Sequence, residues 1–480
     1  MSALNARLEA ALESRRSRQM LRSLAPLEQT RQQRKRDLVD FSSNDYLSFA
    51  RSNTLRDKLV NALRPETEPS PYGPPSSRLL DGNSDSHLQL ELRLETFFHA
   101  RDALLFNSGF DANVGVWSCL PGPDDYVVFD ELVHASIHDG MRSSRVDHHR
   151  RVAFRHNSLD DLEVRIEQIK QDDDAVSRGL KSVWIAVETL YSMDGDLCPL
   201  ADMVRLVDRV LPNRNGHFVV DEAHSTGLYG PNGRGLVCAL GLEDRITVRL
   251  HTFGKAMACS GAVVLANRLI RQYLVNYARP LIYSTAMPHM NVKAIENSIE
   301  MLQLGFGDQP ARHVHDLAAT LIESLSSFLT PTSTVSLPPH LVPPLYQPRL
   351  SPPKSSSSIR HPPPSHIVDD DEPPRPTVPP TSSIVPLLTA RPRPLSEYLS
   401  ELGFLVRPIT YPTVPRGMER VRVCLHAANT LEQVVALAEG VRRWEDKEKE
   451  ERRRRERERH GVAPGRTSDD DGRENIRARL

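Results

Sequence analysis

The sequence predicts an α/β fold, with a large domain on a mainly parallel sheet followed by a small α+β C-terminal domain. Three observations carry this expectation. Short apolar runs of strand length alternate with longer helical stretches from about residue 103 to 290. A stretch rich in proline and serine, residues 338–381, then interrupts the pattern, and strand and helix patterns resume beyond it. The chain has 480 residues, enough for one large domain, a smaller one and some unfolded excess.

Taken in order, residues 1–60 read as an N-terminal helix and arm. Leu4, Leu8, Leu12 and Leu21 fall near one face of a basic helix over residues 3–24. A strand and turn follow at Leu38–Leu47. The segment Pro71 to Gly82 is too irregular for a regular element and reads as a loop near a site. Residues 61–300 form the expected large domain, starting with a helix from about Asp85 to His99. Its strands are expected at Ala103–Phe106, Tyr126–Phe129, Val183–Val187, His217–Val220, near Ile246–Leu250, and at Ala262–Leu265.

Residues 301–337 and 382–444 make the expected small domain. Its strands are predicted at Phe404–Arg407 and Arg420–Leu425, with a helix near Pro394–Leu402 and a last helix from about Thr430. Between its two parts, repeated Pro-Pro pairs, a serine run and an acidic run cannot bury enough apolar surface to offset their ordering entropy, so residues 338–381 are expected to be disordered. Residues 445–480 read as a charged, solvated helix and a flexible tail.

The formal net charge of -1 gives no electrostatic reason to expect nucleic acid or an anionic membrane as a partner. Five scattered cysteines have no metal-ligand spacing, which predicts reduced thiols and no metal site. No apolar run has the length of a membrane span, and the N-terminus lacks a secretory core. Ala478-Arg479-Leu480 has the small-basic-leucine form of a C-terminal peroxisomal address. It predicts a peroxisomal import receptor as a partner and the peroxisomal matrix as location, with the cytoplasm as the alternative.

The chemistry centres on Lys255, in Thr252-Phe253-Gly254-Lys255, and on Asp221, at the end of the apolar run Phe218-Val219-Val220. Asp221-Glu222-Ala223-His224 has the form of a DEAH box, but the chain contains no phosphate loop of the G-x-x-x-x-G-K-[ST] form, which argues against a nucleic-acid-dependent ATPase. A carboxylate at a strand end and a lysine one strand further on suit pyridoxal phosphate: the amine meets the aldehyde, and the acid keeps the ring nitrogen protonated. Gly109, opening a helix directly after a strand, offers backbone N–H groups to the phosphate. His134 follows the next strand and is placed to stack on the ring. Ser192 follows the strand ending at Val187, with its hydroxyl in reach of the ring.

Gly109-Phe110, His134-Ala135-Ser136, Ser192-Met193-Asp194-Gly195-Asp196, Asp221-Glu222-Ala223-His224 and Thr252-Phe253-Gly254-Lys255 occur together in this order. The set resembles the α-oxoamine synthase family of fold-type-I pyridoxal phosphate enzymes, over about residues 1–335 and 383–440. The resemblance implies catalysis by Lys255, His134 and Asp221. It implies cofactor contacts from Gly109, Phe110, His134, Ser192, Asp221, His224, Thr252 and Lys255, with Ser284 and Thr285 near the phosphate of a neighbouring subunit. Arg22, His134 and Thr413 match substrate-contact positions, and a homodimer is implied.

Ser42–Leu47 and Leu281–Pro288 are similar to the branch that condenses L-alanine with pimeloyl-CoA in biotin biosynthesis. The form of Tyr411-Pro412-Thr413-Val414-Pro415 is closer to the glycine-using branch that makes 5-aminolevulinate, and the loop Tyr72–Ser77 carries prolines where the family prefers glycines. Glycine C-acetyltransferase chemistry also stays open. A catalytically silent, cofactor-free interaction subunit is the reading from another class; Lys255 and Asp221 argue against it.

Overall fold

The computed structural model describes residues 2–18, 20, 21, 24, 38–64, 72–342 and 381–459. Arg22, residues 343–380 of the Pro/Ser-rich insertion and the C-terminal tripeptide lie outside them.

Seven strands make the large sheet: β2 Asp102–Phe106, β3 Tyr126–Asp130, β4 Arg151–Phe154, β5 Val183–Glu188, β6 Gly216–Asp221, β7 Val248–Thr252 and β8 Ala262–Ala266, after a short β1 at Val39–Asp40. The order is β2-β8-β7-β6-β5-β3-β4, parallel except that β8 runs antiparallel to both of its neighbours. Consecutive side chains on a strand point to opposite faces, so apolar runs without alternation supply two cores at once. On one face Val128, Ile185, Val187, Phe218 and Val220 pack under the helices Leu159–Asp172 and Leu200–Val210. On the other, Val127, Trp184, Ala186, Val219 and Leu250 pack with the helices Gly109–Cys119 and Ala135–Ser143.

Two sequence expectations shift here. The strand expected near Ile246–Leu250 runs from Val248 to Thr252. Ile246 closes a turn on Leu242, and the apolar pattern is broken by Arg249 and His251, which are nonetheless buried. Arg249 donates to the carbonyls of Phe98 and His99, and His251 stacks on Phe98. Strand β4 was not anticipated: it opens on arginine and lies at the sheet edge, where one neighbour suffices.

Beyond the large sheet, β9 Ile384–Leu388, β11 Arg407–Ile409 and β12 Arg420–Cys424 form an antiparallel sheet of order β11-β12-β9. The strand expected over Phe404–Arg407 is divided: β10, Phe404–Leu405, pairs in parallel with β1, and Arg407 begins β11. In β12, Val421 and Val423 are fully buried on one face, while Arg420 and Arg422 share the other. The helices Asp308–Ser326 and Leu431–Arg459 pack on each other over the same core.

The ordered chain reaches further into the expected disordered insertion than foreseen. Pro339–Leu341 forms a helical turn with Leu341 buried, because that leucine joins the same core. The N-terminal helix also departs from expectation. It spans Ala3–Ser17 rather than 3–24, caps on Ser2, and leaves Leu4, Leu8 and Leu12 about half exposed. Among the described residues, no helix is long and apolar enough to cross a membrane.

Candidate active site

The parallel strands end along one edge of the large sheet, and three of them deliver a polar residue to the site there. Asp221 ends β6, Glu188 ends β5 as its register partner, and Thr252 ends β7. Open α/β sheets place ligands at this carboxyl edge, where loops leave the strands and helix N-termini converge.

Asp221 is buried and hydrogen-bonded through both oxygens. Oδ2 accepts from Asn113 Nδ2 at 2.8 Å and Oδ1 from the Ala223 N–H at 2.9 Å. Asn113 also donates to Ser136 Oγ at 3.1 Å, and that hydroxyl lies 2.7 Å from His134 Nδ1. His134 caps the helix Ala135–Ser143, its Nδ1 accepting the Ser136 N–H. Its own N–H donates to Glu188 Oε1 at 2.5 Å. Burial depresses the imidazole pKa and Lys255 adds to this, against the pull of Asp221, so a neutral ring faces the site.

Lys255 follows β7 on a turn closed by Cys259 and Gly261 bonding back to Phe253. Burial lowers its amine to about 8; the carboxylates of Asp221 and Glu188 oppose the shift, and Arg422 adds to it. An amine that is easily neutral near physiological pH is what attack on an aldehyde needs. His224 is buried with Nδ1 2.7 Å from the Tyr46 hydroxyl, and burial first, then Lys255 and Arg422, hold it neutral.

Gly109 opens its helix behind the Ser108 cap, whose Oγ accepts the Asp111 N–H. A Cβ added at Gly109 would sit 3.2 Å from Cβ and Oγ1 of Thr252, so the phosphate-side helix end and the strand before Lys255 are in close approach. Phe110 is about half exposed on the first turn of that helix.

The Ser192 loop is held from the small-domain side. Ser192 offers its carbonyl to Arg422 Nη1 at 3.1 Å, and Arg422 Nη2 donates to Asn44 Oδ1 at 3.1 Å. Among the described residues no carboxylate pairs with Arg422. Arg420, fully buried, pairs with Asp194 at 2.6 Å and donates to the Met193 carbonyl.

Three expected site residues stand apart from this constellation within one chain. Ser284 and Thr285 line a narrow cleft with Arg78, His87 and Asn107, where the Asn107 amide donates to the Thr285 carbonyl at 2.9 Å. Thr413 is exposed in a turn closed on Thr410. The fourth, Arg22, lies outside the described residues.

Sequence reasoning missed Asn113, Glu188, Tyr46 and Arg422 as site residues. Glu188 carried the same signal that exposed Asp221, an acid closing an apolar run. Arg422 was legible only as alternation in Arg-Val-Arg-Val.

The donor set fits pyridoxal phosphate. It offers an amine of lowered basicity, a hydrogen-bonded carboxylate for a pyridinium nitrogen, a neutral imidazole for a ring face, and a helix N-terminus for a phosphate.

Comparison with known proteins agrees. Residues 36–341 match the model of aminotransferase class I and II. The chain is 41% identical over 406 residues to an 8-amino-7-oxononanoate synthase of Emericella nidulans, covering 85% of this chain and 89% of the relative. It is 35% identical over 437 residues to the aminoacyl transferase sphA of Aspergillus fumigatus, covering 89% and 84%. The fold is shared with a serine palmitoyltransferase variant from S. paucimobilis with bound PLP–myriocin, at a TM-score of 0.66 and 24% identity over 85% of this chain and 87% of the other. The chain belongs to the α-oxoamine synthase family of pyridoxal-phosphate-dependent fold-type-I acyltransferases.

Proposed function

We propose that this enzyme condenses L-alanine with pimeloyl-CoA, releasing CO2 and free CoA and giving 8-amino-7-oxononanoate for biotin synthesis. The observation that carries the amino-acid half is Arg422, a cation at the site that donates to the neutral oxygens of Ser192 and Asn44 and, among the described residues, pairs with no carboxylate. It is available to a substrate carboxylate. The likeness to the Emericella nidulans synthase supports the acyl half.

When bound, pyridoxal phosphate supplies an electron sink next to the amino-acid Cα. Lys255 would hold the cofactor between turnovers and, as a free amine, would take the Cα proton and later return it. Its lowered pKa suits both directions of transfer near neutral pH. Asp221 keeps a proton on the ring nitrogen. His134, neutral and fixed through Ser136, would support a ring face without competing for that proton. Arg422 orients the carboxylate until it leaves as CO2.

A second reading has one specific support, the likeness to the aminoacyl transferase sphA over 89% of the chain: another amino acid or another acyl-CoA. CoA release measured across a panel of amino acids and acyl-CoA thioesters separates the two. Fastest release with alanine and pimeloyl-CoA is expected. Release only with serine or glycine, or only with long or short acyl chains, overturns the choice.

We also propose that the enzyme acts as a homodimer, since Ser284, Thr285 and Thr413 stand outside the single-chain site. Ala478-Arg479-Leu480 is proposed as its peroxisomal address; unchanged import after deletion of Leu480 would refute it.

A further inference from the structure

Glu188 and Asp221 are register partners at the carboxyl ends of adjacent parallel strands. Parallel neighbours in register put their side chains on the same face about 5 Å apart. Both residues are buried, at 4% and 6% exposure. Two buried carboxylates so placed cannot both be ionised without a large cost, which a proton on one of them relieves. Their hydrogen bonds decide where it sits. Asp221 has a donor on each oxygen, from Asn113 and Ala223. Glu188 accepts the His134 N–H.

We propose that Glu188 is a positioning residue that works as a neutral carboxylic acid: it fixes the backbone of His134 and leaves the pair's single negative charge on Asp221, where the cofactor nitrogen needs it. This rests on the cofactor site described above. The charged and titratable groups around Glu188 pull both ways, with burial and the neighbouring acids ahead. Burial raises its carboxyl to about 8, Asp221 and Asp130 push the same way, and Lys255 and the His134 N–H oppose them. Asp130 is itself paired with His156.

Neutrality carries a function that a merely structural acid would not. If Glu188 lost its proton, a second charge would stand beside Asp221 and beneath His134. It would compete for the ring proton and draw a proton onto the imidazole. A neutral isostere should therefore be tolerated better than removal of the acceptor.

The test compares Glu188→Gln and Glu188→Ala with the wild-type holoenzyme. Three readouts are taken: cofactor affinity, the visible absorption of the bound cofactor from about pH 7 to 9, and CoA release. Glu188→Gln keeps an oxygen for the His134 N–H and should be at least about threefold less impaired in affinity and turnover than Glu188→Ala. The wild type should change its absorption with pH as Glu188, raised by burial to about 8, ionises, and Glu188→Gln should not show that change. Glu188→Ala strands the His134 N–H and should bind the cofactor at least about tenfold more weakly.

If Glu188→Gln is impaired at pH 7 as badly as Glu188→Ala, or if its absorption titrates like wild type, the proposal is wrong. Should the alanine variant fail to fold, the glutamine variant against wild type still decides. Failure of wild type itself to take up pyridoxal phosphate would instead defeat the cofactor assignment.

Discussion

Asn113 and Asp221 are joined by a 2.8 Å hydrogen bond between a helix of one core face and the end of β6. The same amide reaches Ser136 and, through its hydroxyl, His134. One side chain thus sets the acid and the imidazole together. Asn113→Ala removes a donor from a buried carboxylate and should cost about 1–3 kcal/mol of stability. Denaturant unfolding of the cofactor-free protein measures this, and weaker cofactor binding should accompany it.

Lys255→Ala should lower CoA release by roughly a thousandfold or more, because base catalysis and the covalent tether are lost together. The fold should survive, since no partner is stranded by removing an amine whose burial already disfavours its charge. Borohydride treatment should add cofactor mass to the wild type and leave the variant unmodified.

The two arginines of β12 should separate cleanly. Arg422→Gln should act mainly on the amino acid, raising its KM and lowering kcat/KM by about 10- to 100-fold, as expected for a lost charge-assisted bond. Arg420→Ala should act on the fold instead. Arg420 is fully buried against Asp194, and breaking such a pair costs about 3–5 kcal/mol. Steady-state kinetics and thermal unfolding on both variants distinguish the roles.

His156 makes stability depend on pH. Burial alone would depress its pKa, but the hydrogen bonds to Asp130 and Asp196 outweigh it and raise the ring to about 10. A folded pKa above the unfolded one stabilises the native state fully below the unfolded value. That stability fades as pH rises from about 6.5 and is gone above about 10. His156→Gln should be less stable at neutral pH and show a flatter stability profile across this window. An unchanged profile would refute the pairing.

Gly195 sits in the loop between the two sheets with φ +68, and a Cβ there would lie 2.2 Å from the Ile384 carbonyl oxygen. The obstacle is backbone of β9, which cannot swing away as a side chain would. Gly195→Ala should therefore destabilise by more than about 1 kcal/mol and displace Ser192. A fall in melting temperature together with weaker cofactor binding is expected.

By itself, the sequence determined the strands that carry the chemistry and the identity of Lys255, Asp221 and His134. Their signal is local: wholly apolar runs such as Val183–Val187 mark a sheet covered on both faces, and a polar residue closing such a run lies at the sheet edge. The β7 boundary escaped because Arg249 and His251 break the apolar pattern while being buried by partners far away in the chain, Phe98 and Thr226. Only the tertiary structure decided what surrounds the lysine. Asn44 and Arg422 are 378 positions apart yet hydrogen-bonded, and Glu188 meets Asp221 only through strand register. Contacts of that kind leave no local pattern. They arise when burial forces each polar group to find a partner, wherever along the chain that partner lies.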